Sequence, residues 1–140
     1  MQRDHFTLAV ENNDPPTLVL TYEGPGGNLT ARLTVGGDLP DGGEVDAIFR
    51  LRDPIDAPDA TGVFGLTRRL TGEYLLETDA EAETVRSLVD AARAEGGSYR
   101  VRIERPGADD VVLGKETLLV YDAEGNLLRK DSLIPSGVEL

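Results

Sequence analysis

Two groups of side chains in this 140-residue sequence have the type and spacing to do chemistry. Asp53, Asp56 and Asp59 recur at every third position in DPIDAPDA, residues 53–60. Hard cations take carboxylate oxygens as ligands, so one reading of this loop is a calcium or magnesium site serving a metal-dependent enzyme. The alternating carboxylates followed by glycine that mark a calcium loop are missing, and the plainer reading is a solvated acidic loop. Arg50 and Arg52 share one face of an alternating stretch, Arg100 and Arg102 share a face of another, and Arg68 and Arg69 lie between them in sequence. Guanidinium forks grip phosphate or carboxylate with paired bonds, so neighbouring strands would create a surface for nucleic acid or another anionic ligand. The competing reading is charge pairing across strands with Glu73, Glu77, Glu104 and Glu116.

Other reactive constellations are poorly supported. His5 is the only histidine, which excludes a histidine zinc cluster and leaves a catalytic base without an evident nucleophile. None of Ser87, Ser98, Ser132 and Ser136 sits in a G-x-S-x-G elbow. GADDVVLGK at 107–115 has the wrong glycine spacing for a phosphate loop and Glu116 where Ser or Thr would hold magnesium. There is no cysteine, hence no thiolate and no disulfide frame. No catalytic residue and no cofactor follow from these patterns.

Charge is the strongest compositional signal. The 26 acidic residues outnumber 14 basic ones, for a formal net charge of −12, and only Lys115 and Lys130 are lysines. Such a chain repels itself in dilute buffer. Near 1 M salt the Debye length falls to about 3 Å and the penalty disappears, so the composition reads as salt adaptation. The same charge disfavours nucleic acid as a partner. No stretch approaches the roughly 18 apolar residues of a membrane helix, and the amino terminus lacks a signal peptide's apolar region. Cytoplasm and no membrane are the expectations.

The elements that must position these groups are mostly strands. Apolar alternation marks 5–10, 17–23, 44–52, 61–70, 72–78, 98–105, 111–121 and 127–134 as strands joined by glycine, proline and aspartate turns. YDAEGNL at 121–127 carries a hairpin turn signature. Residues 28–35 fit either a short helix, the reading preferred, or a strand. The main helix runs over 79–95: Asp79 caps it, Val85, Leu88, Val89 and Ala92 form one apolar face, and Gly96 and Gly97 stop it. The expected fold is α+β, an antiparallel curved sheet of seven or eight strands with the helix on one face. The alternative is a β-barrel or sandwich with an outer helix. Residues 1–140 form one domain in this reading, with 135–140 as a tail.

RDHFTL at 3–8 and YDAEGNLLRKDSLIPSGVEL at 121–140 resemble the two ends of a family of small uncharacterised proteins from halophilic archaea. The resemblance implies life in high salt; it assigns no activity and no functional residue. The sequence is read as a non-catalytic small domain that binds a protein partner or forms a homodimer through a sheet edge or the tail. An arginine-patch binder and a metal-dependent enzyme are the alternatives.

Overall fold

The computed structural model describes residues 6–11, 15–23, 45–94, 96–105 and 109–134. His5, the 28–35 segment and the 135–140 tail lie outside them. Among the described residues, eight strands and one α-helix follow in the order β1 (Phe6–Glu11), β2 (Thr17–Tyr22), β3 (Val45–Leu51), β4 (Thr61–Arg68), β5 (Tyr74–Glu81), α1 (Ala82–Ala94), β6 (Tyr99–Glu104), β7 (Val111–Lys115) and β8 (Leu119–Tyr121). The α+β expectation holds.

The strands divide between two sheets, ordered β1-β2-β6-β7 and β5-β4-β3-β8. Neighbours in sequence pair antiparallel, as short turns dictate. Each sheet also contains one parallel pair, β2 with β6 and β3 with β8, because the partner strand arrives only after a long excursion. Both sheets turn their apolar faces onto one core. Leu18, Leu20, Val101 and Ile103 from sheet one join Phe49, Phe64, Leu66 and Leu76 from sheet two. The chain is thus a two-sheet arrangement rather than one curved sheet, and it does not close into a barrel.

The helix seals one side of this core. Its buried residues are Ala82, Val85, Leu88, Val89 and Ala92, the stripe predicted by the spacing plus one alanine. Helix α1 packs against both β1 and β5, which themselves approach each other. Burying each Val or Leu of that stripe stabilises the domain by about 1.5–3 kcal/mol. The amide of Gly97 returns to the Ala92 carbonyl at 2.7 Å, and Gly96 and Gly97 have φ of +82° and +95°. That is the left-handed stop expected of the glycine pair.

The helix begins at Ala82, three residues later than the sequence suggested, because β5 continues through Glu81. Asp79 is therefore no cap. It stands opposite Val63 in the ladder, and its carboxylate accepts a hydrogen bond from Arg52. A register shift beside Leu66 and Thr67 leaves Leu75 as an extra residue in β5, and both Leu75 and Leu76 are buried.

The run 111–121, read as one long strand, is broken into two. Val111, Leu113 and Lys115 point inward from β7, and Leu118 and Val120 point inward beyond the break. The inward phase changes from odd to even positions, so the chain leaves sheet one and enters sheet two. Residues 127–134 form no full strand. They contribute a bridge from Leu127 to Tyr121, a 3-10 turn at Arg129–Asp131 and a bridge from Leu133 to Leu118.

Candidate functional site

The free edges of the two sheets define where another molecule has access. On the helix side, β1 and β5 are both backed by α1. At the far edge of sheet two, β8 is covered by the 127–134 segment. Leu128 N donates to Val120 O at 2.8 Å, and the Leu118 and Leu133 amides bond each other's carbonyls at 3.0 and 2.8 Å. Buried Ser132 completes the seam: its Oγ accepts from Val120 N at 2.9 Å and donates to Leu128 O at 2.7 Å. Arg93 of α1 clamps the segment from outside, donating to Lys130 O and, at 3.0 Å, to Ser132 O.

Strand β7 is different. It ends sheet one, and among the described residues no strand lies beyond it. Val112 on this strand is 54% exposed, one of two large apolar side chains the described residues leave in solvent; the other is Leu70. Asp109 and Asp110 are exposed before the strand and Glu116 after it.

The end of β7 opens into a polar cleft of about 510 Å³ that also meets the starts of β2 and β6; Arg69, Tyr99, Arg100, Lys115, Glu116 and Thr117 help line it. Lys115 is only 6% exposed, and its ammonium donates to the Val45 carbonyl across the sheets. Burial holds its pKa below the ordinary lysine value of 10.5, and the positive charge of Arg69 adds to the effect, partly offset by Asp46. Arg69 itself donates through Nε and Nη2 to Asp46 Oδ1, at 3.0 and 2.8 Å. The Tyr99 hydroxyl donates to Thr117 O at 2.8 Å, and burial raises its pKa far above the ordinary 10.0. The sequence reading passed over Lys115, although it occupies the third inward position of Val111, Leu113, Lys115.

The four arginines singled out from sequence do not share a surface. Arg50 lies on β3 and Arg52 just past its end in sheet two, Arg100 and Arg102 lie on β6 in sheet one, and the common core separates the two sheets. Arg50 donates to Glu77 at 2.9 Å and stacks 5.2 Å from the ring centroid of Tyr74, while Arg52 pairs with Asp79. Tyr74 can lie across β4 because Gly65 has no side chain; a Cβ there would come within 2.9 Å of the ring. Arg102 donates to Glu11 at 2.9 Å and lies 3.6 and 3.8 Å from Glu104 and Asp110. Exposed pairs of this kind contribute about 0–1 kcal/mol each. Arg100 departs from the pattern, because it lines the cleft.

The three aspartates of the 53–60 loop are not brought together as one group. Asp53 Oδ2 accepts from Thr61 N at 3.1 Å and from Thr61 Oγ1 at 3.4 Å, tying the loop to the start of β4. Asp56 and Asp59 are exposed. Among the described residues no group of three or more His, Asp or Glu side chains comes together as a metal set. No helix among them is long and apolar enough to cross a membrane.

Fold and site together define a two-sheet α+β arrangement in which 127–134 covers the β8 edge and no described strand lies beyond β7. The chain belongs to the Family of unknown function (DUF5793), whose profile matches residues 1–140. No curated protein and no solved structure matches it.

Proposed function

We propose that this chain is a non-catalytic, salt-adapted domain that binds a protein partner by strand addition along the outer edge of β7. The observation that carries this reading is the contrast between the terminal strands of the two sheets: 127–134 covers β8, while β7 meets no described strand. A terminal strand offers unpaired amides and carbonyls that an extended segment can take up. Val112 supplies an apolar contact, and Asp109 and Asp110 place negative charge before the strand. The partner segment then carries an apolar residue opposite Val112 and a basic residue beside Asp109 and Asp110.

A photo-crosslinking residue at Gly114 tests the reading, because a Cβ there meets nothing within 4 Å. Exposure at molar KCl should give discrete adducts from Gly114, none from a probe at Arg50, and loss of the Gly114 adducts on Val112→Lys. Identical adducts from both probes, or none from Gly114, would refute strand addition; adducts of twice the chain mass would make the partner a second copy. The salt adaptation rests on the net charge of −12 with only two lysines. Its check is a melting series in KCl, where Tm should climb into the molar range and a flat curve would contradict it.

A further inference from the structure

We propose that the cleft at the end of β7 is a binding site for a small oxyanion, a carboxylate or a phosphate, held by Arg100, Lys115 and Arg69. This goes beyond strand addition, because it concerns the interior of the cleft and needs no protein partner.

Charge is distributed there against the trend of the whole molecule. Three cations, Arg69, Arg100 and Lys115, line the cleft against one carboxylate, Glu116, although the chain carries a formal net charge of −12. Asp46 Oδ1 accepts both bonds from Arg69 and neutralises it, so the remaining excess is that of Lys115 and Arg100 over Glu116. Elsewhere on the sheet surfaces the arginines are matched: Arg50 with Glu77, Arg52 with Asp79, and Arg102 with Glu11. The cleft between α1 and the loop before β4 has the opposite sign, with Asp59, Glu81, Glu83 and Asp90 around Arg86. The cleft beside 129–134 also sets two arginines, Arg93 and Arg129, against Glu116, but Arg93 there is engaged by the Lys130 and Ser132 carbonyls.

Lys115 is almost wholly buried, so its ammonium loses most of its hydration, and the Arg69 charge repels it. An oxyanion in the cleft offsets both by its attraction to the two cations. It supplies charge-assisted acceptors, and it stabilises the protonated form of Lys115. Arg100 brings a guanidinium from the exposed side, able to close on an oxyanion through two bonds. A volume of about 510 Å³ admits a small organic acid or phosphate ester rather than a nucleic acid strand. Because Lys115 is buried, added salt screens its contribution less than it screens surface pairs.

Calorimetric titration of the full chain with inorganic phosphate, and separately with succinate, at constant KCl and pH 8 tests the site. Saturable binding of either anion is expected. It should weaken at least tenfold in Arg100→Gln and in Lys115→Met and stay unchanged in Arg50→Gln. Binding of phosphate alone identifies a phosphate ligand, of succinate alone a carboxylate, and of both a general oxyanion site. Arg100→Gln decides the matter if Lys115→Met disturbs folding, because Arg100 is exposed. Failure of both anions to saturate, or equal binding by wild type and Arg100→Gln, overturns the proposal.

Discussion

Strands β7 and β8 come from one apolar run, VVLGKETLLVY, yet the two halves meet solvent on opposite terms. β8 has three residues and is covered along its edge by 127–134. β7 has five residues, terminates sheet one and exposes Val112. Edge strands are usually blunted because open amides recruit other chains. One edge is protected with hydrogen bonds, a buried serine and an arginine clamp, while no described strand lies beyond the other, and the proposed strand addition rests on that contrast.

Substitutions on the two sides should separate sharply. Leu118 is fully buried at the crossing into sheet two, so Leu118→Ala should cost about 2–5 kcal/mol by urea unfolding. Ser132→Ala leaves the buried Val120 amide without its acceptor and should cost about 1–3 kcal/mol. On the open side, Val112→Lys should change stability by no more than about 0.5 kcal/mol. A loss at Val112 as large as that at Ser132 would mean that the β7 edge is as integral to the fold as the covered one.

The contrast extends to pH. Lys115 has a folded pKa below 10.5, so between the two values the unfolded chain binds a proton that the folded chain has released. Stability of the wild type relative to Lys115→Met should therefore rise with pH across that window, and the deficit should be complete below it. Tyr99 acts in the other direction: its raised pKa means that stability falls once the unfolded tyrosine ionises above 10.0. Unfolding at several alkaline pH values in both proteins isolates the lysine part, and parallel curves would show that Lys115 is not desolvated.

Much of this was legible in the sequence, and the failures have physical causes. The helix stripe and its glycine stop follow from local spacing, as does the 122–126 turn, where Asp122 accepts from the Glu124 and Asn126 amides at 3.0 and 2.8 Å. Strand alternation was legible too, but alternation says nothing about which strands pair. The parallel neighbours β2 with β6 and β3 with β8 join residues far apart in sequence, and the four arginines separated for that reason. The break between β7 and β8 did leave a trace, the change of phase between Lys115 and Leu118. An inward-facing lysine in an arginine-rich acidic chain was the sequence signal of the cleft. Its neighbours Arg69 and Val45 come from the other sheet, so their approach lay beyond local pattern.

Amide hydrogen exchange of the isolated chain tests the difference between the two edges most directly. Alternate amides within 111–115 should exchange rapidly, while the β8 amides, above all that of Val120, should exchange only on wider unfolding. Uniform protection along β7 equal to that of β8 would show its edge to be covered and would contradict the account.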